Sequence, residues 1–110
     1  MPKRRLDPLP SAAFQVLLSL ANEHLHGYAI MRQVEEQTGG RMRLGPGTLY
    51  SSIQALLEDK LIEELDPSED RRRIYRLTAA GRRVARVEAE RLAGLLRVAR
   101  VKKIFTGDYV

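Results

Sequence analysis

Hydrophobic residues in this chain follow two kinds of spacing, and each kind predicts one type of secondary structure. Apolar side chains recur three or four positions apart over residues 11–21, 26–38 and 79–103, and again in a helix that begins at about Pro46. They alternate with polar side chains over residues 40–44, 61–65 and 73–78, which is typical of short strands. The predicted order is helix, helix, strand, helix, two-stranded hairpin and long final helix. This is a mainly α fold with a small β-hairpin.

The helix that begins at about Pro46 has two different faces. Proline suits the first helical position because its φ is fixed and it has no N–H, and Gly45 can take the preceding cap conformation. The buried stripe is predicted at Leu49, Ile53, Leu56 and Leu57. The opposite face is small, polar and nearly uncharged at its N-terminal end, and it consists of Gly47, Thr48, Ser51, Gln54, Ala55 and Glu58.

A face of this kind suits a helix that enters a groove of duplex DNA, where long charged side chains would hold the backbone away from the base edges. The alternative is an ordinary surface helix, although exposed helices more often carry Glu and Lys than Gly, Thr and Ser. We expect contacts with bases and phosphates from Thr48, Tyr50, Ser51 and Gln54. Tyr50 lies on the flank of the helix, and it is either a half-buried core residue or a DNA contact.

Local signals predict the ends of the other helices. His26 and Gly27 open the second helix, and Gly39 stands at its C-terminal cap. Ser11 and Thr78 are placed to cap the first and last helices. The inner face of the second helix is predicted to consist of Tyr28, Ile30, Met31 and Val34.

The predicted hairpin turns over residues 66–72, whose Asp-Pro pair and serine favour a turn. On its second strand, Tyr75 and Leu77 are expected to face the core, and Ile74 and Arg76 to face solvent. Such a hairpin would stand beside the preceding helix as a wing.

Composition limits both the size and the partners of the protein. The chain has 110 residues, enough for one domain that buries roughly two thirds of its surface. It has no cysteine, which excludes disulfides and thiolate metal sites and fits a reducing cytoplasm. The formal net charge of +5 favours a polyanionic partner. Basic side chains gather along the last helix and at Lys3, Arg4, Arg5, Arg41, Arg43, Arg71, Arg72 and Arg73.

The wing arginines Arg71, Arg72 and Arg73 are expected to lie along DNA phosphates or in an adjacent minor groove. Alternatively, they pair in the free protein with the acidic residues of the same loop, which are Asp66, Glu69 and Asp70.

We find no motif for catalysis, for a metal or for a cofactor. On a helix, the side chains of His24 and His26 would diverge by about 200° and could not share a metal ion. They are interpreted as loop residues, with His26 as a cap or turn residue. The segment from Gly45 to Gly47 is not followed by the Lys-Ser or Lys-Thr of a phosphate-binding loop. We therefore expect no enzyme.

The location of the protein is predicted from two features that the sequence lacks. No apolar run approaches the roughly 18 residues of a membrane helix. The first residues do not show the basic, apolar and small-residue pattern of a secretory signal. We expect no membrane contact and a cytoplasmic protein that associates with the nucleoid when bound to DNA.

The last predicted helix carries more apolar surface than the edge of a small domain needs. A helix that projects from a compact body would leave this surface in water, so we predict that it packs on a second copy of the chain. The alternative is that it folds back on the first helix of the same chain. The residues expected at the dimer interface are Val84, Val87, Leu92, Leu95, Leu96 and Ala99, with Val98 and Val101 adding to the apolar surface.

Three motifs in a fixed order carry a resemblance to a known family. They open the second helix, open the third helix, and close the hairpin into the fourth helix. They read Leu25-His26-Gly27-Tyr28, Pro46-Gly47-Thr48-Leu49-Tyr50 and Arg73-Ile74-Tyr75-Arg76-Leu77-Thr78-Ala79-Ala80-Gly81. Over about residues 9–92 the chain resembles the PadR family of bacterial transcriptional regulators. It departs from the usual family pattern at Gly45 and Ser51, where the family often has serine and proline.

The order of elements is that of a winged helix-turn-helix domain with an added C-terminal helix. We expect a flexible basic arm over residues 1–10, the DNA-binding domain over 11–78, a dimerisation helix over 79–104 and a tail over 105–110. A dimer would place two recognition helices about 34 Å apart, which predicts an inverted-repeat operator.

The resemblance further implies a repressor, sometimes released by a small aromatic ligand. The sequence itself gives that ligand little support, since it has no tryptophan. Two other functions stay open, a nonspecific DNA-binding protein and a winged helix that binds a protein partner.

Overall fold

The computed structural model describes residues 6, 8–65 and 72–107, which form four helices and one three-stranded antiparallel sheet. In chain order the elements are α1 (Ser11–Ser19), β1 (Leu25–His26), α2 (Gly27–Gln37), α3 (Pro46–Glu58), β2 (Ile62–Glu64), β3 (Ile74–Leu77) and α4 (Ala79–Val101). The strands lie in the order β1, β3, β2. The predicted mainly helical fold, with a hairpin beside α3 and a long C-terminal helix, is confirmed.

One hydrophobic core joins α1, α2 and α3 to the sheet. Burying an aliphatic side chain of this size stabilises the fold by roughly 1.5–3 kcal/mol, so the core fixes the position of α3. Its fully buried side chains are Val16, Leu17, Ile30, Val34, Leu49, Leu56, Ile62 and Tyr75.

The helix α3 begins at Pro46 with Gly45 as its N-cap, as predicted. Leu57, predicted in the buried stripe, is half-buried. Ala55 was expected on the outer face, and that expectation is wrong, because the side chain is only 6% exposed. The core encloses the C-terminal half of α3 over more than a single stripe, and Ser52 on that side is half-buried too.

The prediction of a strand over residues 40–44 is wrong, since this segment is an irregular turn. Gly39 and Gly40 both have positive φ, at 61° and 82°, and they end α2 in a tight reversal. The hydroxyl oxygen of Thr38 then accepts a hydrogen bond from the backbone N–H of Met42 at 2.9 Å. The backbone bonds locally to the end of α2, so the alternation of polar and apolar side chains comes without a strand partner.

The third strand is β1, which lies at the point where the second helix was predicted to begin. Leu25 pairs with Tyr75 and His26 with Ile74 in antiparallel register. Two residues give too little alternation to show a strand in the sequence. This pairing brings the start of α2 beside the second strand of the wing.

The predicted caps of the first two helices had different outcomes. Nδ1 of His26 accepts a hydrogen bond from the backbone N–H of Ala29 at 3.3 Å, so His26 caps α2 as expected. Ser11 does not cap α1, because the cap is Pro10 and Ser11 is the first helical residue.

On the second strand of the hairpin, Tyr75 is buried and Arg76 exposed, as expected. Leu77 is half-buried and packs against the core. Ile74 is also half-buried, although it was expected outside. Ile74 pairs with His26 of β1, so β3 does not have a free edge at this position.

The N-terminal arm is described at Leu6 and at residues 8–10. Leu6 is buried in the core cluster, and Leu9 packs against it. Lys3, Arg4 and Arg5 lie outside the described residues.

The helix α4 leaves the sheet through a close backbone contact at Gly81. Thr78 caps the helix as predicted, since its hydroxyl oxygen accepts from the N–H of Gly81 at 3.0 Å. A Cβ at Gly81 would lie 2.0 Å from the carbonyl oxygen of Leu61 and 2.7 Å from Cδ1 of Leu77. Only glycine therefore lets α4 start this close to the turn before β2.

We expect Gly81→Ala to destabilise the protein by about 1–3 kcal/mol or more, because the obstructing atom is backbone and cannot rotate away. The measurement is the free energy of unfolding in urea. Gly94→Ala is the matched control in the same helix, where the added Cβ meets no heavy atom nearer than 3.9 Å. This control should gain about 0.5–1 kcal/mol from helix propensity. Equal effects of the two substitutions would contradict the close-contact explanation.

Candidate nucleic-acid interface

The outer face of α3 is open at its N-terminal end. Thr48, Tyr50, Ser51 and Gln54 are exposed. Two of these polar side chains make long contacts within the helix, Oγ of Ser51 with the carbonyl oxygen of Thr48 at 3.5 Å and Nε2 of Gln54 with Glu58 at 3.4 Å. Bonds this long are readily exchanged for another partner.

Tyr50 lies between α3 and the start of α2, outside the core. Its side chain is 55% exposed. A Cβ placed on Gly27 would be 3.1 Å from the Tyr50 hydroxyl oxygen, so the glycine makes room for the end of the tyrosine side chain. The structure thus favours the exposed alternative for Tyr50 over a core position.

Beside Tyr50 lies a cleft of about 470 Å³. It brings together the N-terminus of α2, the first turn of α3 and the residues that lead into β3. The lining residues are His26, Gly27, Tyr28, Tyr50, Arg72, Arg73 and Tyr75.

The cleft has a positive electrostatic character. The N-terminus of α2 lines the cleft and has no acidic residue in its first turn, so the partial positive charge of this helix end is not offset there. Arg72 and Arg73 add two formal charges at the opposite wall. Among the described residues, Arg73 pairs with Glu64, whose carboxylate lies 3.8 Å from Nε of the arginine in an exposed ion pair. Pairs of this kind contribute little and exchange easily.

Tyr75 lines the cleft with a neutral hydroxyl group. Burial raises the pKa of Tyr75, and the Glu64 carboxylate raises it further. The phenol therefore keeps its proton at neutral pH and can donate a hydrogen bond.

The structure places the predicted wing arginines in different environments. Arg71 lies outside the described residues, as do the loop acids proposed as its partners. Nη1 of Arg72 lies 2.9 Å from Nε2 of His26. Among the described residues, Arg73 pairs with Glu64 of β2.

Arg41 and Arg43, the other predicted phosphate contacts, do not line this cleft. Both are exposed in the turn between α2 and α3. Arg43 pairs with Glu35 of α2 at 3.2 Å. It borders a separate groove along α2, and Tyr28 is shared between that groove and the cleft.

Neither His26 nor Tyr28 was predicted from the sequence to belong to the interface, although both line the cleft. Tyr28 was expected on the inner face of α2, and that is wrong, since its side chain is 64% exposed. The first turn of α2 projects past the core beside β3, so an aromatic residue there meets solvent. Both residues belong to the Leu25-His26-Gly27-Tyr28 motif, which was the available signal.

The last helix has a covered half and an exposed half. Near its start, Val84 and Ala85 pack against the core, and α4 contacts α1. This contact is the one that the fold-back alternative expected. Among the predicted interface residues, Leu96 and Ala99 are half-buried. The large apolar side chains that remain exposed along α4 are Val87, Leu92, Leu95, Val98 and Val101.

Where the covered half of α4 ends, a buried carboxylate is bonded twice. Oε1 of Glu88 accepts from Nε of Arg91 at 2.8 Å, and Oε2 accepts from Nη2 at 2.6 Å. These bonds from Arg91 hold the pKa of Glu88 below its usual value, although burial opposes the shift. The pair borders a groove of about 400 Å³ between α4 and the segment that contains Leu6 and Leu9.

We expect the contribution of Glu88 to stability to depend on pH. Because its folded-state pKa is lowered, that contribution is present above the unfolded-state pKa of about 4.3 and is lost as the pH falls through the folded-state value. The difference in unfolding free energy between the wild type and Glu88→Gln should therefore shrink from about pH 5 to about pH 3. Urea denaturation across this range measures it. In an Arg91→Gln background, Glu88→Gln should show a smaller dependence. A difference that grows on acidification would contradict the assignment.

Across the described part of the chain, no three His, Asp or Glu side chains come close enough to hold a metal ion. No helix within residues 8–65 and 72–107 has the length and hydropathy needed to span a bilayer.

Three helices with an exposed α3 and a β-hairpin beside it place this chain in the class of winged-helix proteins. A sequence model described as the transcriptional regulator PadR-like family matches residues 16–87. The chain belongs to this family, which is one of transcriptional regulators rather than of enzymes.

Solved structures show the same fold. A transcriptional regulator from Clostridium thermocellum, Cth-833, is 24% identical with a TM-score of 0.73, over 81% of this chain and 86% of its own. RosR of H. salinarum is 26% identical with a TM-score of 0.68, over 90% and 92% of the two chains. Bacillus subtilis PadR in complex with operator DNA is 19% identical with a TM-score of 0.63, over 74% and 48%.

One curated relative is longer than this chain. An uncharacterized 37.1 kDa protein in transposon TN4556 of Streptomyces fradiae is 40% identical over 84 residues. The match covers 76% of this chain and 24% of the relative, so the chain spans about a quarter of that protein's length.

Proposed function

We propose that this protein is a homodimeric transcriptional repressor that binds an inverted-repeat operator through α3 and works in the cytoplasm. The observation that carries the proposal is the exposed face of α3, which is uncharged as far as Gln54 and lies beside a cleft lined by two arginines. Small polar side chains allow close approach to base edges, while cations beside them attract the backbone. Membership of the PadR-like family supports the same function.

Within α3, we assign base contacts to the residues that point away from the core. Gln54 has the two-pronged amide that pairs with an adenine edge, and the hydroxyls of Thr48 and Ser51 can bond to either bases or phosphates. Arg41 and Arg43 flank the start of the helix and are proposed as phosphate contacts, together with Arg72 and Arg73.

We assign the dimer interface to the exposed half of α4. Its apolar side chains lie in water in a single chain, and burying them returns roughly 25 cal/mol per Å² of apolar surface. A two-fold dimer would present two copies of α3 about 34 Å apart, the spacing of successive major grooves on one face of DNA. Repression then follows from occupying the operator.

For the specificity, we expect Gln54→Ala to weaken binding to the protein's own upstream DNA by about 1–3 kcal/mol, and Ser51→Ala to do so less. Binding to a scrambled fragment should be unchanged. Fluorescence anisotropy with both fragments, at low and at moderate salt, measures this. Gln37→Ala is the control, since Gln37 is exposed at the far end of α2, where it bonds to Gln15.

Equal binding of the wild type to both fragments, erased by salt, would instead indicate a nonspecific DNA-binding protein. No binding to either fragment would indicate a winged helix that binds a protein partner.

For the assembly, we expect Leu95→Glu to give monomers and to weaken operator binding, because a carboxylate replaces an apolar side chain in the proposed interface. Light scattering gives the mass, and anisotropy gives the affinity. Gln54→Ala should stay dimeric while it loses specificity, which separates the two roles. A monomeric wild type at the concentrations of the binding measurement would contradict the proposed dimer.

A further inference from the structure

Two hydrogen-bond donors face each other at the cleft beside Tyr50. Nδ1 of His26 accepts from the backbone N–H of Ala29, so the neutral ring carries its proton on Nε2. That nitrogen lies 2.9 Å from Nη1 of Arg72, and a guanidinium has donors only. While His26 caps α2, this contact brings two N–H groups together. An acceptor beside them would receive a hydrogen bond from each.

The rest of the cleft favours an acceptor that carries negative charge. Arg73 adds a second cation, and its carboxylate partner Glu64 is 3.8 Å away in a pair that exchanges easily. The uncompensated N-terminus of α2 contributes partial positive charge. Tyr50 and Tyr28 supply exposed hydroxyl groups at the same opening. Cations, backbone N–H groups and hydroxyl groups together are the donors that bind a phosphate group.

The position of the cleft identifies the source of this phosphate. Tyr50 lines the cleft, and its neighbours Thr48, Ser51 and Gln54 form the exposed face of α3. A duplex that lies along this face carries its sugar-phosphate backbone past the flank of the helix, where Tyr50 stands. A backbone phosphate would therefore reach the cleft while α3 occupies the groove.

We propose that the cleft binds one phosphate of the DNA backbone through Nε2–H of His26, the guanidinium of Arg72 and the hydroxyl of Tyr50. This inference rests on the proposed DNA-binding function and adds His26 as a direct contact. It also assigns Tyr50 to the backbone rather than to the bases. One ring then has two functions, since Nδ1 caps α2 and Nε2 donates to DNA.

The test separates these two functions of His26. In His26→Asn, the side-chain oxygen can still cap α2, because asparagine is among the best N-cap residues, but the distant N–H donor is gone. We expect DNA affinity about fivefold to tenfold lower, with an unchanged thermal midpoint of unfolding. His24→Asn is the matched control, since His24 is exposed and does not line the cleft. Tyr50→Phe, which keeps the ring and removes the hydroxyl, should weaken binding as well.

Methylphosphonate substitution, which neutralises one backbone phosphate at a time, locates the contact. Duplexes from the protein's own upstream DNA carry the substitution at successive positions. For the wild type, several positions in each half-site should weaken binding, and for His26→Asn one of these positions should cause little further loss. Losses that add independently at every position would overturn the inference.

Two further results distinguish the possible failures. A folded His26→Asn that binds DNA as tightly as the wild type overturns this inference alone, and stabilisation of the wild type by inorganic phosphate would then assign the cleft to a small phosphate ligand. A wild type that binds no duplex DNA overturns the proposed function, and this inference with it.

Discussion

The antiparallel pairing of β3 with a strand on each side is the constraint on which the interface depends. β3 bonds to β2 along the hairpin and to β1 at the start of α2, with Tyr75 opposite both Leu25 and Glu64. Because Tyr75 is buried, the strand cannot slide without exposing a large aromatic side chain. The same register holds Arg72 and Arg73 beside the first turn of α2 and Tyr50 of α3. The cleft is thus a product of strand pairing rather than of its own lining residues.

Much of the fold could be predicted from local signals. Pro46 marks the start of α3, Gly39 ends α2, and Thr78 caps α4, because each residue type has a physical preference for that position. The buried stripe of α3 follows from its spacing. These features depend on the chain within a few residues, so one sequence is enough to find them.

The features that were missed depend on contacts between distant segments. β1 is a strand because β3 lies beside it, and two residues have no periodicity of their own. Residues 40–44 are an exception, because they alternate like a strand although Met42 bonds locally to Thr38 at the end of α2. The role proposed for His26 needs Arg72, which is 46 positions away in the sequence. Spacing along the chain carries no information about such neighbours.

The close contact at Gly81 sets the direction in which α4 leaves the sheet. From there α4 runs for 23 residues, which at 1.5 Å per residue is roughly 34 Å of helix. A tilt of about 5° at its base would move its far end by about 3 Å, close to the 3.4 Å rise of one base pair. In the proposed dimer, the distance between the two copies of α3 would therefore depend on the angle at which α4 leaves the sheet. In that dimer, a side chain in place of Gly81 would alter the spacing of the two copies of α3.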